Sequence, residues 1–307
     1  MKLAIPDMIS PSYFVAEAAI ELGFFRAEGL DVSLDLVYPV DNAYAAMRDG
    51  KIDFVGGAAH GVLSAFPRFN GAKLIAAQAQ GMYWFLVMRA DLGAKRGDLD
   101  VVKGRTIGAA PWVNMGLRGL LIAAGIDPER DHVSIAPVPG ALGTVPNFGV
   151  MAAKALEAGK LDGFWANGMG AEVAVRGGYG TVIADARRGD GPKQCFNFTA
   201  PTIAATEDLI ARSPDTVAAA VRAIVKTQAA LKANVSRATE VGKKLFPEAE
   251  AALIAELIRR DLPYYDATLS RDFIAGMTAF ARSQGALDRE LAYEDVVATQ
   301  FAPLWKG

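Results

Sequence analysis

The chain is poor in the residues that bind metals or form crosslinks. Its 307 residues include one cysteine, Cys195, and two histidines, His60 and His132. A single cysteine excludes an internal disulfide, and so few His and Cys leave no zinc-type ligand cluster. No run approaches the roughly 18 apolar residues that would span a bilayer. Lys and Arg number 32 against 34 Asp and Glu, for a net charge of −2, and they are spread along the chain. The basic stripe that a nucleic acid would need is therefore missing. There is no Gly-x4-Gly-Lys-Ser/Thr phosphate loop, and 31 glycines form no dinucleotide fingerprint. Ser64 and Cys195 lack the surroundings of a nucleophile. We accordingly assign no catalytic residue and expect no metal and no other cofactor. The opening MKLAIPDMISPSYF is too short and too polar in its apolar part for a signal peptide. This leaves two expectations: a periplasmic protein whose leader has been removed, which we favour, or a cytoplasmic one that starts at Met1.

What the chain does have is apolar content, 52% against 21% charged, enough for a large core and two domains of ordinary size. It also repeats a phrase. AMRDGKIDFVGG at 46–57 returns as ALEAGKLDGFWAN at 155–167, too far apart for a solenoid period. Two similar lobes, each using the phrase at one structural place, explain the recurrence. Around it the pattern reads strand, helix, strand, helix, strand. KLAIPDM is a strand, Ser10-Pro11 opens a helix that stops at Gly23, and LDVSLDLVY alternates as a strand. DNAYAAMRDG is a helix closed by Gly50, IDFVGG a buried strand, and AAHGVLSAFPRF the start of another helix. A second unit starts near Val101, with a helix carrying Leu117, Leu120, Leu121 and Ala124 on one face. From about Phe196 the register changes. FNFTAPTIAAT reads as a strand returning to the first lobe. Helices capped by Ser213-Pro214 (Val217, Val221, Ile224, Leu231) and by Ser270 (Phe273, Met277, Phe280) then form a buttress on it. The expected fold is α/β, with lobe 1 formed by residues 1–90 plus 191–307 and lobe 2 by residues 91–190. The lobes join through crossing strands near 85–90 and 196–204.

Several phrases resemble the periplasmic solute-binding proteins that serve nitrate, sulfonate, taurine and thiamine-precursor ABC importers. That family's early helix ends G-[FL]-F-x-x-E-G-L-x-V, matched by Gly23, Phe24, Phe25, Glu28, Gly29, Leu30 and Val32. VVKGRTIGAA is similar to its L-K-G-K-x-I-G strand, LIAAGIDPERDHVSIAPV to its A-G-[IL]-D-P-x-x-V passage, and the repeated phrase to its G-x-[IVL]-D strand starts. The likeness runs through nearly the whole chain in the right order, but each phrase describes scaffold. It implies the periplasmic-binding-protein type II fold, a cleft between lobes, membrane subunits of an ABC importer as partners if the protein is periplasmic, and a monomer. Pyrimidine synthases of thiamine biosynthesis and certain aromatic-acid decarboxylases also resemble this fold. The synthases carry a cysteine-rich Cys-Cys-Cys-Phe-Cys motif, of which only Cys195-Phe196 is present here. An enzyme on the same scaffold is the alternative.

In an open α/β sheet ligands gather at the carboxyl ends of strands, where small residues and helix N-termini meet them. That places Ser10 and Tyr13, then Gly57, Ala58 and His60, then Pro111, Trp112 and Asn114, and finally Asn167 and Met169, around the cleft. Ser10 and Asn114 are N-caps in any case. Trp112, in a loop, is expected to stack on a planar ligand, with Trp84 and Trp165 as further aromatic candidates and Gln80 and Asn197 as polar ones. The ligand expected is a small planar aromatic or heterocycle bearing a carboxylate, sulfonate or carbonyl. Its anionic end would be held by helix N-termini rather than by Arg89 or Arg118.

Overall fold

The fold is two sheets built to one plan, as a computed structural model shows for residues 1–141 and 147–306. The first half supplies β1 (Lys2–Ile5), α1 (Phe14–Glu21), α2 (Phe24–Ala27), β2 (Ser33–Leu36), α3 (Val40–Arg48), β3 (Phe54–Ala58) and β4 (Ala72–Ala77). The chain then crosses and lays down β5 (Phe85–Arg89), β6 (Thr106–Ala109), α4 (Asn114–Ala123), β7 (Ser134–Ala136), α5 (Phe148–Glu157), β8 (Gly163–Ala166), α6 (Gly168–Arg176) and β9 (Gly180–Asp185). It returns as β10 (Pro201–Thr206) and finishes with α7 (Glu207–Arg212), α8 (Pro214–Ala233), α9 (Arg237–Leu245), α10 (Glu248–Asp261), α11 (Arg271–Ser283) and α12 (Tyr293–Val296).

The strand orders are β2-β1-β3-β10-β4 and β7-β6-β8-β5-β9. In each sheet the first three strands are parallel, and the fourth in order runs antiparallel to both neighbours. That strand is the crossing one, β10 in the first sheet and β5 in the second. The sheets are therefore mixed. Strand β5 belongs to the second sheet, although the boundary at residue 90 had put residues 85–89 in the first lobe.

The repeated phrase proves to be a staple used twice. Gly50 (φ +70°) ends the turn after α3, and Gly159 (φ +68°) does the same after α5; both backbones are left-handed, where glycine carries no Cβ penalty. Two residues past the lysine position, Asp53 accepts a hydrogen bond from the Lys2 N–H (2.8 Å) and donates its own N–H to the Lys2 carbonyl (3.0 Å). Asp162 does the same with Thr106, at 2.9 and 3.0 Å. Each aspartate thus pins the start of one strand (β3 or β8) to the first residue of its parallel neighbour (β1 or β6), where a backbone N–H would otherwise lack a partner. Asp162→Ala is expected to cost about 1–2 kcal/mol, the loss of a charge-assisted bond that leaves a half-buried donor behind. Urea denaturation reads this; a change under 0.3 kcal/mol would mean that the staple carries no stability.

The C-terminal helices do pack on the first lobe. α8 lies against α1, α2 and β4, and the closing 3-10 segment (299–306) sits on α8 and β4, with the Trp305 indole N–H donating to the Ile75 carbonyl at 2.8 Å. α10 also reaches the second lobe, where Arg260–Glu172 (2.7 Å) and Arg176–Glu256 (2.6 Å) join it to α6. Val217, Val221, Ile224 and Leu231 of α8 and Phe273, Met277 and Phe280 of α11 are buried as the periodicity required. Several local readings change. Ser10 does not cap α1, which starts at Phe14 after Tyr13; its Oγ instead accepts from the Ser12 N–H. Ser213 makes no capping bond to α8, whereas Ser270 Oγ does accept from the Phe273 N–H. Residues 59–69 form two short 3-10 turns rather than an α-helix. Ala124 falls at the C-cap of α4 and is exposed.

Candidate functional site

The carboxyl ends of β1, β6 and β8, with the loops that follow them, face one another between the lobes. They enclose a cavity of about 30 Å³, within about 400 Å³ of empty space when the open mouth is counted. The β1–α1 loop supplies Asp7, Ser10, Ser12 and Tyr13, and Tyr38 and Val40 come from the turn into α3. Pro111 and Val113 lead into α4, Phe148 opens α5, and Asn167 precedes α6. Trp84, from the crossing segment, also lines the space. Tyr38 and Phe148 are stacked across the lobes at 6.0 Å and 24°.

The polar core of this space is Asp7, 7% exposed. Its Oδ2 accepts from Asn167 Nδ2 at 2.5 Å. Asn167 is the N-cap of α6: its Oδ1 accepts from the N–H groups of Met169 (2.8 Å) and Gly170 (3.2 Å), which fixes the amide with its NH2 toward Asp7. The N–H groups of Phe148 and Gly149, at the start of α5, face the Asp7 carboxyl and favour its charged form. A first-lobe carboxyl thus serves two helix N-termini of the second lobe. Asp7 Oδ1, Ser12 Oγ and Tyr38 OH are buried and lack a partner among the described residues. Buried polar atoms are normally satisfied, so three orphans around one cavity mark it as a place where something polar is received.

Burial pushes the Asp7 carboxyl up to about 8, against the pull of Asn167 and the two N–H groups. The same cause drives His60 down to about 4. The signs are opposite. Between 3.8 and about 8 the folded chain holds a proton on Asp7 that the unfolded chain has released, so this contribution falls as pH rises. The His60 contribution is full above 6.5 and is lost as pH falls toward about 4. Comparing wild type with Asp7→Asn removes the histidine from the comparison. The stability of wild type relative to the variant should then drop by roughly 1.4 kcal/mol per pH unit between about pH 5 and 7. A flat difference in chemical denaturation would show that Asp7 is ionised in the folded protein.

Of the residues expected from sequence, Ser10, Tyr13, Trp84, Pro111 and Asn167 line the space. His60 does not. It is fully buried, and both ring nitrogens are engaged: Nε2 with the Trp112 carbonyl and Nδ1 with Thr199 Oγ1, each at 3.0 Å. A carbonyl only accepts, so Nε2 carries the proton and Nδ1 accepts from the threonine hydroxyl. His60 is thereby a contact between lobes. Trp112 has φ +66°, which turns its side chain away from the direction of Pro111 and Val113. Its ring lies 6.1 Å from His60 rather than in the cavity wall. Asn114 begins α4 without capping it; Val113 stands at the N-cap. Gly57 and Ala58 lie in β3 under Tyr44, whose hydroxyl donates to the Ala58 carbonyl at 3.0 Å. Trp165 and Met169 are fully buried behind the wall. Gln80 donates to the Asp266 and Thr268 carbonyls, both at 2.8 Å, and Asn197 packs against Gly276 of α11. Arg89 is paired with Asp91, and Arg118 with Glu129 at 3.3 Å.

Asp7, Tyr38 and Phe148 were missed. Asp7 had a signal: an acid directly at the carboxyl end of the first apolar strand, where a parallel sheet places its ligand. Tyr38 and Phe148 had none beyond lying at the start of a helix or just before one.

The family described as "NMT1/THI5 like" matches residues 11–238. A riboflavin-binding protein, RibY of Chloroflexus aurantiacus, is 25% identical over 325 aligned positions, covering 97% of this chain and 84% of that protein. A solved structure from Bordetella bronchiseptica RB50 superposes with a TM-score of 0.77 at 21% identity, over 98% of this chain and 95% of its own. A putative periplasmic sulfonate-binding protein of Methylobacillus flagellatus KT gives 0.69 at 17% identity, over 100% and 93%. Likeness at this identity establishes the two-lobed fold and leaves the ligand to the residues of the cavity.

Proposed function

Since the chain belongs to the NMT1/THI5-like family, we propose that it is the solute-binding component of an ABC importer, closing two lobes over a small planar aromatic or heterocyclic ligand. The observation that carries this reading is the convergence of three buried polar atoms, without a partner among the described residues, on an inter-lobe space walled by Tyr38, Phe148 and Trp84. Aromatic rings on both lobes suit a flat ligand, and stacking on one of them is worth about 1 kcal/mol beyond burial. The orphan oxygens fix its orientation, because a buried polar atom left unpaired costs about 1–3 kcal/mol that the right ligand recovers. The named relative points the same way, as riboflavin is a flat heterocycle.

On this reading the protein works as a monomer in the periplasm, hands its ligand to membrane subunits, and opens about the crossing segments. Its lobes meet through Asp7 with Asn167, Tyr38 with Phe148, and His60 with Trp112. The test is a thermal-shift screen of one- to three-ring aromatics, riboflavin included, beside nitrate and alkanesulfonates. A ligand held at micromolar affinity and recovered unchanged supports a binding protein. Turnover of that ligand would instead mark an enzyme, and no shift with any compound would sink the reading.

A further inference from the structure

Helix N-termini at a cleft ordinarily invite an anion, and α3, α4, α5 and α6 all begin at this one. At α6 the first donors are already taken. The N–H groups of Met169 and Gly170 bond Asn167, whose amide turns its own N–H on to Asp7, and the N–H groups of Phe148 and Gly149 at the start of α5 face the same carboxyl. Among the described residues that line the space, none is Lys or Arg, and residues 142–146 carry no charge in sequence. A larger neighbouring groove does hold Arg96, Arg188 and Arg260. Each is matched by an acid, with Arg96–Asp190 at 2.8 Å, Arg188–Asp261 at 2.6 Å and Arg260–Glu172 at 2.7 Å.

Resting on the reading above, we propose that the Asp7 carboxyl occupies the place an anionic ligand would take between these helices, and that the cleft therefore selects neutral heteroaromatic ligands that offer a hydrogen-bond acceptor to Asp7 Oδ1. Oδ2 is committed to Asn167, so a proton on this acid belongs on Oδ1, the atom without a partner among the described residues. Burial keeps that proton in place at neutral pH. Oδ1 then acts as a donor aimed at a ring nitrogen or carbonyl oxygen, with Ser12 Oγ and Tyr38 OH free to meet the neighbouring polar atoms of the ligand. An anion entering the same space would be desolvated beside a buried acid, with no Lys or Arg among the described lining residues to receive it. The specificity thus departs from that named for the sulfonate-binding structural relative, although the scaffold is the same.

The test uses matched amide and acid probes: benzamide and benzoate, nicotinamide and nicotinate, quinoline-4-carboxamide and its acid, with methanesulfonate as a bare anion. Isothermal titration is run on wild type, Asp7→Asn and Asp7→Ala, with circular dichroism confirming that each variant is folded. Wild type should prefer the amide of a bound pair by at least tenfold. Asp7→Asn, which keeps a neutral donor at the position, should retain that preference. Asp7→Ala removes the acid that faces the starts of α5 and α6 and should reverse it, gaining at least tenfold for methanesulfonate. Acids bound better than amides by wild type, or no reversal in Asp7→Ala, would overturn the inference while leaving the binding protein intact. Failure of all three proteins to bind any probe, together with an empty screen, would remove the binding reading and this inference with it.

Discussion

Gly170→Ala is expected to destabilise the protein by about 3 kcal/mol and to abolish ligand binding, although the change adds one methyl to a helix. A Cβ at Gly170 would lie 2.6 Å from the carbonyl carbon and 2.8 Å from the Cα of Gly149. These are backbone atoms of α5, so no side-chain rotation relieves the clash and the two helices must separate. Overpacking costs about 1–3 kcal/mol where side chains can adjust, and an unyielding backbone puts this case at the upper end. The better helix propensity of alanine, about 1 kcal/mol, offsets only part. Separation of α5 from α6 also pulls Phe148 and Gly149 away from Asn167, and so dismantles the setting of Asp7. Thermal melts and ligand titration check both effects. A melting temperature within a degree of wild type would show that α5 and α6 are not so closely apposed.

Trp84→Ala is expected to cost about 3–5 kcal/mol, the range for removing a buried aromatic, and to weaken ligand binding at least tenfold. Trp84 is 3% exposed and sits on the segment that joins the two sheets. Its ring meets Tyr83 at 4.7 Å, His60 at 6.2 Å and Trp165 at 6.2 Å, and the absence of a side chain at Gly116 of α4 makes room for it. The residue therefore packs both lobes and walls the cavity. Trp84→Phe separates the two roles: stability should return in large part while binding of a flat ligand remains impaired. If Trp84→Ala melts normally, the crossing segment is not packed as described.

The scaffold was legible in the sequence because it is repeated and local. Gly50 and Gly159 needed left-handed backbone, and Asp53 and Asp162 each needed a neighbour to pin. The phrase that holds both pairs announced two lobes before any contact was known. The antiparallel insertion of β5 and β10 was harder to see, since a strand's direction depends on the partner it finds and not on its own alternation. At the cavity, sequence reached the junctions that line the space and passed over some of the side chains that line it. Trp112 looked like the wall of a cleft, but a positive φ turned it toward His60, and no local pattern encodes that turn. His60 looked exposed to ligand because its partners, Thr199 and the Trp112 carbonyl, lie 139 and 52 residues away. Asp7 stands in the sequence only as part of the strand read over KLAIPDM. Its importance arises from helix N-termini contributed about 140–160 residues later, which makes it a property of the folded chain alone.

Hydrogen–deuterium exchange of the wild-type protein, with and without saturating amounts of the tightest compound from the screen, tests the central claim most directly. Ligand held between Asp7, Tyr38 and Trp84 should slow exchange at residues 7–13, 38–40, 82–85, 110–114 and 147–170, on both lobes together. Protection confined to one lobe, or to the groove lined by Arg96 and Arg260, with those segments unchanged, would contradict it.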